Sequence, residues 1–132
     1  MATKTNCCPD NAQKETRGSN SHGTVIYLNS TVMGRGDDTL GAKLLGVFLD
    51  TLSHFAPRVS HLLLVNGGVR LACVGSPVLE QLQGLTSTHI EILSCATCLN
   101  HFGLADQLEV GKVSNMMEII EVQTRAQRLI TP

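Results

Sequence analysis

Two cysteines separated by two residues, Cys95 and Cys98, are the side chains of this sequence best suited to chemistry. They follow residues 89–93, an apolar run typical of a buried strand, at the point where the next helix should begin. In a parallel α/β sheet, ligands and reacting groups gather at the carboxyl ends of the strands. A thiol at a helix N-terminus is also biased toward the thiolate, because the unpaired amides and the helix dipole favour negative charge. The thiolate is the form that attacks, carries sulfur or binds metal.

The pair is compatible with four interpretations. In a persulfide or thiol relay, Cys95 attacks and Cys98 supports or resolves it. A thioredoxin-like dithiol is the second, although that motif normally follows an earlier strand. Half of a zinc site is the third, to which Cys73 and His101 could add ligands. The fourth is two small buried residues, since a free cysteine packs as a small hydrophobe. No second pair has metal-ligand spacing, so we expect no metal.

The composition suits one domain with a hydrophobic core, since the 132 residues are 42% hydrophobic and 16% charged, with a formal net charge of −1. Tyrosine occurs once, tryptophan is absent, and no basic patch is interleaved with aromatic residues, so we expect no nucleic-acid partner. No apolar run approaches the roughly 18 residues of a transmembrane helix, and the polar N-terminus lacks a signal-peptide core. Five cysteines, an odd number, favour reduced thiols over a disulfide framework. We therefore expect a cytoplasmic protein without a membrane association.

The chain divides into a polar segment and a foldable domain. Residues 1–23 have almost no apolar side chains, which predicts a flexible tail. Within it, Cys7 and Cys8 are either incidental exposed thiols or an accessory sulfur-accepting or metal-binding segment. Residues 24–132 carry alternating strand and helix patterns. The predicted strands are 25–28, 61–65, 89–93 and 128–131. The predicted helices run from Asp37 or Asp38 to 55, from Pro77 to 85, over 98–102 and over 116–126.

This alternation predicts an α/β fold in which a mostly parallel sheet of four or five strands lies between helices, a three-layer αβα arrangement. Cap residues support the helices: Ser76 precedes Pro77, Ser114 or Asn115 precedes the last helix, and a glycine at 103 follows the third. With right-handed crossovers, the loops after the first three strands lie along one edge of the sheet. We therefore expect loops that are distant in sequence to converge there.

Two of these loops offer backbone amides beside the thiols. The Gly-Arg-Gly stretch at 34–36 lacks both phosphate-loop patterns, so it is either a flexible strand-to-helix turn or a weak anion site that uses Arg35. The Asn-Gly-Gly stretch at 66–68 either serves a tight turn or lines the same crevice. Cys73 either faces Cys95 or only packs against its neighbours. With no cofactor motif present, we expect no cofactor. The candidate binding residues are Asn29, Ser30, Met33, Gly34, Arg35, Gly36, Asn66, Gly67 and Cys73.

Five segments, in this order, resemble a known family: residues 25–38 (VIYLNSTVMGRGDD), 64–73 (LVNGGVRLAC), 75–79 (GSPVL), 91–99 (EILSCATCL) and 113–116 (VSNM). They are similar to the C-terminal DsrE-like domain of YedF-type proteins, which is described as sulfurtransferase-like and is linked to selenium metabolism. The similarity covers residues 24–131, nearly all of the foldable chain. The ordered set is much more specific than the cysteine pair alone.

The resemblance implies a flavodoxin-like layering without a flavin motif, a homo-oligomer (dimer, trimer or hexamer) and sulfur handling. In the wider DsrE/TusD group, the persulfide-carrying cysteine follows a strand and precedes a glycine of an Arg-Gly segment by eight residues. Cys95 has that place relative to Gly103, but Phe102 stands where the arginine would be. YedF-type proteins also carry a TusA-like domain with a Cys-Pro-x-Pro motif, which is absent here because Cys8-Pro9 is followed by Asp10. A TusA-like or other sulfur-carrier protein would then supply sulfur, unless the chain is a trimmed or degenerate member.

The sequence and the resemblance together predict a sulfur, or selenium, relay protein. Cys95 would accept sulfane sulfur as a persulfide, and Cys98 or Cys73 would release it or form a disulfide. The loop at 29–36 and the Asn-Gly turn would wall the pocket. Whether such a sulfurtransferase-like carrier is an enzyme stays open. A different class is a non-enzymatic oligomeric module that binds a small ligand or partner and has incidental cysteines.

Overall fold

The computed structural model describes residues 22–132 of the chain, so the tail predicted over residues 1–23, with Cys7 and Cys8, lies almost wholly outside the described residues. The elements in chain order are β1 (His22–Leu28), α1 (Asp38–Leu52), a first 3-10 helix (Ser53–Arg58), β2 (Val59–Leu64), a second 3-10 helix (Asn66–Ala72), α2 (Leu79–Thr86), β3 (Glu91–Cys95), α3 (Ala96–His101), β4 (Lys112–Ser114), α4 (Met116–Arg125) and β5 (Ala126–Ile130).

The five strands form one parallel sheet in the order β4-β3-β2-β1-β5. The chain steps from β1 to β4 in one direction and then returns to place β5 on the other side of β1. In the register of the sheet, Leu28 lies beside Leu64, and Leu64 lies beside Ser94. Cys95 lies beside Ser114. Because all strands run the same way, their carboxyl ends share one edge, as the sequence predicts.

Helices cover both faces of the sheet, because successive strand residues point to opposite sides. The larger hydrophobic cluster lies under α1, α2 and the 3-10 helices and contains Ile26, Leu62 and, from α3, Leu99. The smaller cluster lies under α4, where Leu63 packs near Ile119. Burial of each such side chain contributes about 1.5–3 kcal/mol. The predicted three-layer α/β fold is confirmed.

Two of the predicted helix caps are present. The Asp37 carboxylate accepts a hydrogen bond from the Leu40 N–H at 2.8 Å and so starts α1. The Asn115 side chain accepts from the Glu118 N–H at 2.9 Å and starts α4. Each side chain satisfies one of the amides that the first helical turn leaves unpaired.

The predicted start of α2 at Pro77 is wrong by two residues, since the helix begins at Leu79. Val78 has φ −116° and ψ 18°, which is not helical, and its N–H donates to the Ser76 hydroxyl at 3.2 Å. The Ser-Pro dipeptide therefore forms a turn before the helix and not its first turn.

The third strand also lies two residues later than predicted, over Glu91–Cys95. His89 has a left-handed φ of 73°, and its N–H donates to the Thr86 carbonyl at 3.1 Å. The turn after α2 therefore continues past residue 89. As a consequence, Cys95 is the last residue of β3 and not part of the following loop.

Candidate functional site

The cysteine pair straddles the junction of β3 and α3. Cys95 ends β3 and is the N-cap of α3, and Cys98 lies in the first turn of that helix. Both are free thiols, and they lie close enough for each to affect the ionisation of the other. Cys95 is 1% exposed within the cluster under α4. Cys98 is half-buried at the carboxyl edge of the sheet, where it packs against both clusters. The two thiols thus differ in access to solvent.

Asn66 supplies a hydrogen-bond donor to this pair. Its backbone N–H donates to Cys98 Sγ at 3.0 Å, across 32 residues of sequence. Asn66 directly follows the end of β2 and has a left-handed φ of 49°, a conformation that asparagine tolerates better than most residues. The N–H of the preceding Val65 donates to the Leu28 carbonyl at 3.0 Å. The turn that presents the Asn66 amide is therefore anchored to the end of β1.

Gly68 allows the turn to approach β1 closely, because glycine has no side chain and the space there is too small for one. A Cβ at Gly68 would overlap the carbonyl oxygen of Leu28 and lie 3.0 Å from its carbonyl carbon. Gly67 differs, since a Cβ there would meet only Ser30 Cα at 3.9 Å, an ordinary contact. Gly68 is the position at which the close approach of the turn to β1 requires glycine.

The environment of Cys98 sets the charge state of its thiol. Burial raises the pKa of the Cys98 thiol, the Asn66 N–H opposes that rise, and the neighbouring Cys95 thiol adds to it. The helix dipole stabilises the thiolate only slightly, because α3 has only six residues. At neutral pH the Cys98 thiol is therefore mainly protonated, and the Asn66 N–H favours the thiolate when it forms.

Ser94 is a polar residue of this edge that sequence reasoning did not single out as a site residue. It is 0% exposed, and its hydroxyl has no hydrogen-bond partner among residues 22–132. A buried hydroxyl without a partner costs about 1–3 kcal/mol, and such groups are rare in native structures. It lies next to Cys95 in β3, between Leu64 and Val113 of the neighbouring strands. No sequence signal distinguishes it from an ordinary small strand residue.

The loop after β1 forms a separate crevice. Arg35 lies there between two glycines with left-handed backbones, φ 77° at Gly34 and φ 128° at Gly36. The crevice has a volume of about 510 Å³. Its lining consists of Asn29, Ser30, Val32, Gly34, Arg35, Gly36, Asp38 and Pro132. Val32, Asp38 and Pro132 are lining residues that are absent from the candidate binding residues of the sequence analysis. Pro132 lies there because β5 pairs with β1 and brings the end of the described chain to this edge.

The structure therefore brings seven of the nine predicted binding residues together in two adjoining groups, all except Met33 and Cys73. Ser30 lines the crevice, and its Cα would lie 3.9 Å from a Cβ placed on Gly67, in the turn that leads to the thiol pair. Met33 does not line the crevice. It is half-buried against the larger cluster, and its N–H donates to the Gly41 carbonyl at 3.1 Å.

Cys73 is not part of either group. It is buried in the larger cluster, on the side of the sheet opposite Cys95, and its thiol donates to the Val69 carbonyl at 3.2 Å. Burial raises the pKa of the Cys73 thiol, and the charge of Arg70 partly offsets this. Of the two alternatives for Cys73, the structure supports packing.

The four possible zinc ligands do not come together. Within residues 22–132, no group of three or more His, Cys, Asp or Glu side chains is placed to hold a metal ion. Cys73 lies across the sheet from Cys95, and the His101 ring packs edge-on against Phe102 with ring centroids 5.2 Å apart. In the same part of the chain, no helix combines the length and the apolar character needed to span a bilayer.

Comparisons with known proteins bear on the fold. No protein-family model matches the sequence, and no curated protein matches it. Several solved structures do match. The YchN protein from E. coli superposes with a TM-score of 0.65 at 16% sequence identity, over 84% of this chain and 99% of that one. The chain shares its fold.

Two further structures have the same architecture. MTH1491 from Methanobacterium thermoautotrophicum, a protein of unknown function, has a TM-score of 0.63 and 22% identity, over 84% of this chain and 99% of that chain. BT1422 from Bacteroides thetaiotaomicron, a conserved protein of unknown function, has a TM-score of 0.59 and 17% identity, over 86% of this chain and 97% of that chain. These likenesses show the fold alone, and that fold is the three-layer α/β arrangement that the sequence predicts.

Proposed function

We propose that this chain is a cytoplasmic sulfur, or selenium, relay protein that carries a persulfide on the Cys95–Cys98 pair. The observation that carries the proposal is the hydrogen bond from the Asn66 N–H to Cys98 Sγ at the carboxyl edge of the sheet. A backbone donor held on a sulfur atom stabilises the negative charge that develops there during transfer. The resemblance to the DsrE-like domain of YedF-type proteins supports the same chemistry.

The transfer needs no cofactor. A thiolate of the pair attacks the outer sulfur of a donor persulfide, a new S–S bond forms on the cysteine, and the donor leaves as a thiolate that takes up a proton. An acceptor thiolate then attacks the outer sulfur of the bound persulfide and regenerates the cysteine thiolate. Neither step consumes an oxidant or a reductant. Such a carrier is sulfurtransferase-like, with each step a substitution at sulfur.

The proposed donor or acceptor is a TusA-like or other sulfur-carrier protein. Support comes from exposed apolar side chains at the end of β4, the strand beside β3: Val113 and Met116 are about half exposed, and Met117 is 80% exposed. Flexible methionines suit a surface that accommodates a protein partner. Other exposed apolar residues, including Leu44 and Val47 on α1, support the proposed homo-oligomer.

Persulfide loading tests the proposal. The reduced chain is incubated with glutathione persulfide without oxygen, alkylated and digested, and each cysteine is read by fragment mass spectrometry. We expect one added sulfur on the Cys95–Cys98 pair, loss of that signal in the Cys95→Ala/Cys98→Ala double variant, and normal loading in the Cys73→Ala control. A wild-type chain that takes up no sulfur at the pair contradicts the proposal.

The crevice after β1 favours a second candidate, a non-enzymatic module that binds a small ligand or partner. Its glycine-rich backbone and Arg35 suit a small anion. Calorimetric titration with inorganic phosphate or sulfite separates the two functions. The binding module predicts a stoichiometric heat that Arg35→Ala abolishes, in a chain whose cysteines take up no sulfur. The relay predicts loading that Arg35→Ala leaves in place.

A further inference from the structure

We propose that Cys98, and not Cys95, is the thiol that accepts sulfur, and that Cys95 is its resolving partner. This assignment rests on the relay function proposed above and deepens it. It reverses the order expected from the position of Cys95 at the end of the strand. Three observations carry it: the access to each sulfur, the groups that surround each sulfur, and the backbone strain beside Cys98.

Access separates the two thiols first. An attacking thiolate must meet the outer sulfur of the donor along the line of the S–S bond that breaks. Cys95, 1% exposed, lies beneath α4 and offers no approach for a persulfide carried on another protein. Cys98 is half-buried at the open carboxyl edge of the sheet. A donor therefore reaches Cys98 Sγ first.

The groups around the two sulfur atoms differ as well. Cys95 lies in the apolar cluster under α4, and although it is the N-cap residue of α3, its side chain makes no capping hydrogen bond. Cys98 Sγ instead accepts the Asn66 N–H at 3.0 Å. When an acceptor removes the outer sulfur, negative charge returns to Cys98 Sγ, the atom on which this donor acts.

Asn66, whose N–H donates to Cys98 Sγ, has a strained backbone conformation. A left-handed backbone is uncommon outside glycine and persists where the surroundings impose it. Asn66, with φ 49°, is held in this conformation by the Val65–Leu28 hydrogen bond and by the close approach of Gly68 to β1. The outcome is an amide aimed at Cys98 Sγ, so the strain marks Asn66 as a positioning residue.

The buried Cys95 thiol then has a defined reaction. When no acceptor arrives, Cys95 attacks Cys98 Sγ of the persulfide, an S–S bond forms between the two cysteines, and the outer sulfur leaves as hydrosulfide with the proton of Cys95. The two thiols are oxidised to a disulfide, and the sulfane sulfur is reduced to sulfide. A dithiol reductant, which breaks the Cys95–Cys98 bond by exchange, returns the pair to its free state.

Single variants test the assignment. The wild type, Cys95→Ala and Cys98→Ala are loaded with glutathione persulfide without oxygen, and persulfide, hydrosulfide and disulfide are followed over time. We expect Cys95→Ala to keep its persulfide on Cys98 and to release hydrosulfide more than ten-fold more slowly than the wild type. We expect Cys98→Ala to load less than a tenth of the wild-type sulfur. The wild type should accumulate the Cys95–Cys98 disulfide until dithiothreitol is added.

Failure of the relay function and failure of the Cys98 assignment give different results. If the wild type neither takes up sulfur nor releases hydrosulfide, the relay function itself fails. If the wild type loads and Cys98→Ala still loads on Cys95, the relay stands and the assignment is overturned. Because Cys95 is buried, Cys95→Ser is measured alongside Cys95→Ala, and circular dichroism checks that each variant is folded. Cys98→Ala changes a half-buried residue and decides the assignment even where both Cys95 variants unfold.

Discussion

Replacing Gly68 by alanine should separate the Asn66 amide from Cys98 while leaving both cysteines in the chain. The added Cβ would overlap the Leu28 carbonyl oxygen and lie 3.0 Å from its carbon. Since carbon atoms pack at about 3.5–4.0 Å, the turn must move away from β1 by on the order of 1 Å. A displacement of that size changes the length and the angle of the hydrogen bond from the Asn66 N–H to Cys98 Sγ, whose N···S distance is 3.0 Å in the native chain, and so weakens it.

The expected magnitudes follow from this displacement. Overpacking of this kind costs about 1–3 kcal/mol of folding stability. A hydrogen bond to a charged group contributes about 1.5–3 kcal/mol, so its loss lowers the Cys98 thiolate population by about ten-fold to a hundred-fold. Alkylation requires the thiolate and should slow by the same factor at neutral pH.

Gly67→Ala is the matched control, because its Cβ meets only Ser30 Cα at 3.9 Å. We expect this variant to alkylate Cys98 at the wild-type rate, with stability unchanged or raised by about 0.4–1 kcal/mol. Iodoacetamide kinetics at Cys98, read by fragment mass spectrometry, and urea unfolding provide the two measurements. A folded Gly68→Ala chain that alkylates Cys98 as fast as the wild type would refute the assigned role of the Asn66 amide.

Three further predictions concern stability. Ser94→Ala removes a buried hydroxyl without a partner and should raise the free energy of unfolding by about 1 kcal/mol, and a marked loss in urea unfolding would mean that the hydroxyl has a partner. The Lys112 ammonium, with the His61 ring, holds the pKa of the Glu91 carboxyl below its usual value. Above pH ~4.3, the free energy of unfolding of the wild type should therefore exceed that of Glu91→Gln by less than about 1 kcal/mol. The difference should vanish as the pH falls below that value, because the carboxylate becomes protonated. A difference in unfolding free energy that stays constant between pH ~3 and pH ~7 would contradict this. Asp37→Ala should cost about 0.5–2 kcal/mol in the same assay through loss of the α1 cap, and an unchanged midpoint would contradict the capping role.

The parallel sheet and the convergence of its loops were predictable, because both follow from local patterns. The leucine-rich run at 61–65, bounded by turn residues, indicated a buried strand, and the alternation with helices implied that Asn29, Asn66 and Cys95 share one edge. The exact end of β3 was not predictable. Ser94 and Cys95 are small residues with weak strand preference, and their burial depends on β2 and β4 on either side.

The hydrogen bond from the Asn66 N–H to Cys98 Sγ was not predictable from the sequence, for a different reason. It depends on the left-handed backbone of Asn66 and on how closely Gly68 approaches β1, and both are set by the register of β1 against β2. The same holds for Pro132, which reaches the crevice only because β5 pairs with β1. Contacts between segments far apart in sequence require the packed structure.

Transfer of labelled sulfur between proteins tests the central claim most directly. The chain is loaded from glutathione persulfide that carries radiolabelled sulfur, freed of the donor, and mixed at once with a reduced TusA-like carrier protein, before Cys95 releases the label as hydrosulfide. We predict that the label leaves the Cys95–Cys98 pair and appears on the carrier within a single turnover, and that the Cys95→Ala/Cys98→Ala variant transfers none. Label that never binds the pair, or that reaches the carrier equally well from the double variant, would contradict a sulfur relay.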